Sequence, residues 1–527
     1  MTAMPPLLDK GRWRGLAAVA ALTLVQAGAA GAAAFATRAL FEAMHGGAPL
    51  PVPPLALLVL AGLVIAITRI AARVMGETLG QDYARQIRAA LFDHAARMPA
   101  RAVAERRSGY MSLRFVGDMT AFRNWLGLGL PRLITGVVLM PAMLGVLWLL
   151  DPVFACVALP LVALTLLATT LGGLRLVPLQ RRLRLRRARI AAEMAERMPL
   201  APWLDRLGRR GRELAQLQTR TDAMIRAALR HRWTAETLRA LPDLTAGIAA
   251  ALLILFGHRG GLTPGTIAAA LAVLGLLLSP LRDLGGVWNH RAAFLAARIK
   301  AEAALSRGQR DLYRATQSLP KGPVEVLFDG VALPSGRVFS CHVAAGETVG
   351  LPLDELDAGA VMDMLLGLDA PRSGRILLSG TDLRDLSRGS LRRGVGQVGT
   401  APEILQGSLR RTLSMGCSDR PADDALEEMT RQEGLGPLLD RLGGLSGTVR
   451  EGGRNLTRSE RLAISLVRLR LLRPRLILVG ADCDAAVLHR IARIQNRRTA
   501  TVICEPSHPG KVPNAADCPA SASTGQI

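Results

Sequence analysis

Apolar residues in this chain gather into six long runs, at about 15–42, 55–76, 133–150, 153–175, 241–257 and 264–281, separated by polar stretches of unequal length. A helix rises about 1.5 Å per residue and the hydrocarbon core of a bilayer is about 30 Å thick, so about 20 apolar residues make one crossing. Each run meets or approaches that length, which predicts six transmembrane helices. Pro152, and the stretch from Gly257 to Pro264, predict tight turns between paired spans. No Asp, Glu, Lys or Arg stands near the centre of a run; an ion or proton path would have placed one there. The polar exceptions are Gln26, Thr135, Thr165, Thr169, Thr170 and Thr245. They are expected to hydrogen-bond between helices, not to hold substrate.

The loops alternate in length and charge. After the first, third and fifth runs they are short: residues 43–54 hold no Lys or Arg, the second loop is little more than Asp151-Pro152, and the third carries Arg259 alone. After the second and fourth runs they are long, helical in pattern and rich in arginine, including Arg181, Arg182, Arg184, Arg186, Arg187 and Arg189. The positive-inside rule therefore places the long loops and both termini in the cytosol. The arginine cluster reads as a solvated helix face below the membrane, drawn to anionic lipid headgroups.

Near residue 304 the texture changes. Residues 305–322, with Pro320-Lys321-Gly322 at their end, read as a linker. Beyond them, short apolar runs at 347–351, 375–378 and 476–479 alternate with helical stretches, the pattern of an α/β domain. The boundaries that follow are a membrane domain over 1–304, a linker over 305–322, an α/β domain over 323–510 and a C-terminal tail over 511–527, expected to be disordered.

Composition sharpens this division. Half of the 527 residues are apolar and the formal net charge is +24. Of 66 Lys+Arg and 42 Asp+Glu, residues 320–527 hold 26 and 24, leaving 40 and 18 for residues 1–319. The basic excess thus sits on the apolar half, as in a membrane protein. No zinc-finger spacing, helix-turn-helix pattern or stacking platform accompanies it, so nucleic acid is not an expected partner. The six cysteines are scattered without a CxxC pair, which offers no metal-ligating spacing.

Six spans with two long cytosolic loops, followed by about 200 residues of α/β domain, resemble one half of an ATP-binding cassette exporter. In the first long loop, Glu105-Arg106-Arg107-Ser108-Gly109 with Arg114 and Asp118 is similar to the family's stretch around its first coupling helix. Further landmarks follow in the family's order: Ala345 to Val349, Leu365 to Leu368, Ser373 to Ile376, Gly380 to Leu383, and Glu451 to Leu456 before the signature motif. The resemblance implies a polytopic α-helical membrane domain with long cytosolic extensions, joined to a P-loop-like α/β nucleotide-binding domain. It also implies transport driven by ATP and magnesium.

The residues for that chemistry are another matter. A phosphate-binding loop needs glycines that let backbone N–H groups face the phosphates, a lysine, and a Ser or Thr for magnesium. The corresponding segment, Pro352 to Gly359, is one residue short, with Ala358 at the lysine position and Gly359 at the Ser/Thr position. Asp354, Glu355 and Asp357 put negative charge where a polyanion belongs, and one like-charge pair at 4 Å costs roughly 4 kcal/mol even at an effective dielectric near 20. The strand that should end in the metal-binding aspartate and the catalytic glutamate ends instead in Gly480-Ala481. The γ-phosphate-sensing glutamine aligns with Thr400, the switch histidine with Glu505, the adenine-stacking aromatic with Ser335, and the following-loop aspartate with Val487. In the signature, LSGGQ has become Leu456-Thr457-Arg458-Ser459-Glu460. Asp482 and Asp484 lie nearby but out of register and read as surface carboxylates, and His508, three positions late and next to Pro509, reads as a loop histidine.

Positions that build strands and turns match the family, and positions that touch nucleotide do not. The expectation is therefore a folded, catalytically silent domain with no catalytic or metal-binding set of its own and no cofactor bound by this chain. Because family sites are shared head to tail between two cassettes, a homodimer would have no working site. The expected partner is a second half-transporter with an intact cassette that carries ATP and magnesium, in the inner membrane of a bacterium. A non-transporting membrane scaffold is the alternative. The apolar cavity lining does not select a substrate.

Overall fold

The computed structural model describes residues 4–47, 49–104, 118–310, 315–399, 404–417, 421–481, 483–495 and 500–505. It divides into two compact units, one of Met1–Ala96 with Arg106–Arg307 and one of Arg97–Glu105 with Gly308–Ile527.

In the first unit the apolar runs lie on α1 (Lys10–His45), α2 (Val52–Arg97), α3 (Leu130–Leu150), α4 (Pro152–Arg197), α5 (Arg210–Arg259) and α6 (Pro264–Leu305). Six helices among the described residues are long and apolar enough to cross a membrane. A π turn, Trp125–Gly129, extends α3 backward to Met119. α4 and α5, at 46 and 50 residues, far exceed the length a bilayer needs, so their arginine-rich portions continue the spans as helical extensions. Pro152 and Pro264 occupy first helical turns, where proline's missing N–H costs nothing. Asp151 caps the Val153 N–H at 2.9 Å and Thr263 caps the Thr266 N–H at 3.3 Å.

The turn after the fifth run is shorter than its sequence suggests, because α5 continues through Gly257 to Arg259. Gly257 serves close packing instead: a Cβ there would lie 2.9 Å from Ile267. α6 is the most buried span, packed on α1, α3, α4 and α5 through Ala269, Ala270, Val273, Leu274, Leu277, Leu278 and Leu281. α2 is the opposite case, with Leu55, Val59, Leu60, Leu63, Ile67, Ile70 and Val74 exposed, an apolar face of the kind lipid covers. Gly76 and Gly80 let α2 meet the segment before α3. Added Cβ atoms would stand 2.6 Å from the Gly127 carbonyl and 2.5 Å from that of Arg123. Between α4 and α5 the Thr165 and Thr245 hydroxyls lie 2.6 Å apart, the expected interhelical bond. Thr169 departs from that expectation by bonding back to Thr165 O in its own helix.

The second unit carries two main sheets. β1 (Val326–Ala332), β2 (Val338–Val343), β4 (Arg375–Leu378) and β5 (Thr381–Asp382) form an antiparallel sheet in the order β2-β1-β4-β5. β3 (Thr348–Gly350), β6 (Val395–Val398), β9 (Leu476–Val479) and β10 (Thr501–Cys504) form a parallel sheet in the order β3-β10-β9-β6, and β7 (Gly407–Ser408) pairs with β8 (Thr448–Val449). All four residues of β9 and of β10 are buried, as continuous apolar runs in a covered parallel sheet should be. α7 (Glu355–Leu365) follows β3, α8 (Arg458–Leu472) precedes β9, and α9 (Ala485–Gln495) joins β9 to β10. One core runs through both sheets and α7, from Val326 and Phe328 to Ala358, Val361, Leu476 and Ile503. A separate helical core around Leu409, Leu438 and Ile464 sits beside it.

Candidate functional site

In an open parallel sheet, ligands bind outside the carboxyl ends of the strands, and here those ends are level. Cys504 pairs with both Gly350 and Val479, and Val479 with Val398. The residues that follow are the positions singled out in the sequence. Gly480 donates its N–H to Val398 O at 3.0 Å and Glu505 donates its own to Val479 O at 3.0 Å. The Glu505 carboxylate accepts the Ala481 N–H at 2.7 Å. Burial of Cys504 beside them pushes its thiol up to about 11. Thr400, Asp482 and His508 lie outside the described residues, as do Glu105 to Arg114 and the tail from 511.

Between β3 and α7 several backbone N–H groups are committed within the chain. Leu351 donates to Cys504 O at 3.0 Å, Pro352 has no N–H, and Leu353 donates to Leu351 O at 2.9 Å. Asp354 is the N-cap of α7: its side chain accepts the Asp357 N–H at 2.8 Å and its carbonyl accepts the Ala358 N–H at 2.8 Å. A helix N-terminus favours negative charge, and here the chain supplies it. Ala358 is fully buried in the core. Gly359 faces open space, where an added Cβ would meet nothing within 4 Å, beside a cleft of about 1010 Å³ that Pro334, Leu356 and Asp363 also line.

Ser335 and Asp357, far apart in sequence, meet. Ser335 sits in the turn between β1 and β2, donating its N–H to one Asp357 oxygen at 3.1 Å and its hydroxyl to the other at 2.5 Å. Asp357 is completely buried.

The signature-like residues form the start of α8. Thr457 and Glu460 make a reciprocal capping box, the Thr457 hydroxyl accepting the Glu460 N–H at 3.2 Å and the Glu460 carboxylate accepting the Thr457 N–H at 2.7 Å. Ser459 Oγ lies 3.1 Å from the Thr457 hydroxyl, and Arg458 is exposed in the first turn. Arg441 grips both Glu460 oxygens at 2.7 and 2.9 Å. Asp484 caps α9 through the Val487 N–H at 3.0 Å, while Val487 itself is core. No group of three or more His, Cys, Asp or Glu that could hold a metal occurs among the described residues.

Sequence reading missed the Ser335–Asp357 pair because nothing local joins a turn to a helix start. The two caps also went unread, although a signal existed for each: Thr457-x-x-Glu460 is a capping-box pattern and Asp354 stands where an N-cap belongs.

Comparison with known proteins places these features in context. The family model described as the ABC transporter transmembrane region matches residues 21–281. An ATP-dependent lipid A-core flippase of Methylococcus capsulatus is 29% identical over 281 residues, 49% of this chain and 46% of the flippase, so the match spans about half of that relative. A putative multidrug export ATP-binding/permease protein, YgaD of Bacillus subtilis, is 23% identical over 433 residues, covering 78% of this chain and 73% of its own. Among solved structures, a bacterial Atm1-family ABC exporter with ATP bound superimposes with a TM-score of 0.74 at 19% identity, over 94% of this chain and 91% of that one. That likeness speaks to fold, and the fold is six apolar helices with helical extensions followed by an α/β unit. Residues 21–281 thus carry the ABC transporter transmembrane region, and the chain as a whole has the fold of an ABC exporter.

Proposed function

We propose that this exporter subunit is catalytically silent, and that a second half-transporter with an intact cassette supplies ATP binding and hydrolysis. The observation that carries the reading is the start of α7. Asp354 already caps it and Ala358 is buried where the family has its lysine. Ala358 offers no cation to a triphosphate, Asp354 already takes the Asp357 N–H, and Asp354, Glu355 and Asp357 crowd the helix start with negative charge, so nucleotide and magnesium do not fit the residues present. Gly480 and Ala481 at the end of β9, Glu505 after β10 and Ser335 in the β1–β2 turn support the same conclusion, because none supplies the expected metal ligand, general base, switch histidine or adenine platform. At the start of α8 the Glu460 carboxylate already holds the Thr457 N–H, a donor that the segment would otherwise offer to a partner's phosphates.

In this reading residues 1–304 shape the transport path and 323–510 form the silent cassette. Segments around 97–124 and 195–212 transmit the partner's motion, and both termini and the cassette lie in the cytosol of a bacterium. The transported molecule is of unassigned class. Native-membrane purification followed by mass spectrometry tests the proposal: the chain should copurify one-to-one with a half-transporter carrying intact ATP motifs, and ATP turnover should vanish when the partner's lysine is replaced. Stoichiometric assembly and transport without such a partner would contradict it.

A further inference from the structure

We infer that the Asp357 carboxylate serves this cassette as a built-in ligand, tying the β1–β2 turn to α7 and holding one nucleotide-independent arrangement. The inference deepens the silent-cassette reading and rests on it. A fully buried carboxylate carries a desolvation cost and persists only when hydrogen-bonded and neutralised. Asp357 has the hydrogen bonds, and a helix N-terminus in place of a cation. Ser335 gives it two donors, at 3.1 and 2.5 Å, and its place in the first turn of α7 sets it against the positive end of the helix dipole.

The consequence is mechanical. Ser335 belongs to the antiparallel sheet's hairpin, whereas α7 springs from the parallel sheet. One side chain therefore joins two elements that a nucleotide between them would otherwise bridge. Glu505 makes a similar tie at the carboxyl edge, where its carboxylate holds the Ala481 N–H at 2.7 Å across the ends of β10 and β9. With these donors occupied from within, adding nucleotide should neither order nor shift the unit. Such a subunit would present one fixed surface to its partner through the transport cycle.

Hydrogen–deuterium exchange on the full chain in lipid nanodiscs tests this, with wild type, Asp357→Ala and Ser335→Ala compared with and without Mg·ATP. Exchange at residues 335–337 and 355–360 should quicken about tenfold or more in Asp357→Ala, and by a smaller factor in Ser335→Ala, which keeps the backbone donor. Wild type should be unchanged by Mg·ATP. If Asp357→Ala does not fold, Ser335→Ala decides alone. Unchanged exchange in the folded variants would overturn the built-in ligand while leaving the silent-cassette reading standing. Protection of these residues by Mg·ATP in wild type would overturn both.

Discussion

Replacing Ala358 by lysine supplies the residue that the family resemblance aligns there, and the structure predicts that it will fail to restore phosphate binding. Ala358 is fully buried in the core that includes Val349, Leu351, Leu353 and Val361. Lysine adds four heavy atoms beyond Cβ, and overpacking of this kind costs about 1–3 kcal/mol. Burying the ammonium adds a few kcal/mol more unless it finds a partner, and the nearest carboxylates, Asp354 and Asp357, are already engaged. The expected loss is about 3–6 kcal/mol, a large share of the roughly 5–15 kcal/mol that holds a domain together. For a unit of about 200 residues this corresponds to a fall of roughly 6–24 °C in its calorimetric transition. Gly359→Ser is the control. Its Cβ meets nothing within 4 Å, and exchanging a helical glycine for serine should leave the transition level or raise it slightly. The assay is scanning calorimetry of the purified chain, paired with fluorescent-ATP binding. An Ala358→Lys protein that melts like wild type and binds ATP would refute the reasoning.

Other expectations are as direct. Gly76→Ala forces a Cβ to within 2.6 Å of the Gly127 carbonyl, so the helical unit should lose about 1–3 kcal/mol or more, read as a lower melting temperature in detergent. Thr165→Val removes the hydroxyl pair with Thr245, but Thr245 still bonds Leu241 O at 2.9 Å, so the loss should stay near or below about 1 kcal/mol. Glu433→Ala strips Arg470 and Arg490 of contacts at 3.3 and 2.8 Å around a side chain only 9% exposed. The arginines are partly solvated, so about 2–3 kcal/mol is expected by calorimetry. Burial raises Cys504 to about 11 from an ordinary value of 9.0. The folded state thus favours the neutral thiol, giving a contribution that is whole below pH 9 and lost as pH rises toward 11. Maleimide labelling at about pH 8, below that window, should reach Cys504 only after unfolding.

The membrane half was legible because its signal is strong: long apolar helical runs are dictated by bilayer thickness and by the cost of unpaired backbone in lipid. Helix ends were less so, and Gly257 shows why. A glycine reads as a turn in sequence, yet here it leaves room for Ile267 inside a helix. In the α/β unit the runs at 347–351, 375–378 and 476–479 fell on β3, β4 and β9, since buried strands are short and apolar whatever surrounds them. For the candidate site, the family resemblance could single out Ala358, Gly480 and Glu505 as positions to inspect. It could not show that Asp357 turns inward to Ser335, a contact between residues 22 positions apart that exists only once both sheets have formed.

The central claim is that this chain contributes a membrane path and a folded cassette but no ATP chemistry. Direct measurement of Mg·ATP binding and turnover by the purified full-length chain in nanodiscs, without any partner, tests it most directly. No saturable binding at millimolar ATP is expected, and no phosphate release above a protein-free control. Stoichiometric binding, or turnover that disappears with Asp354 or Thr457 substituted, would contradict it.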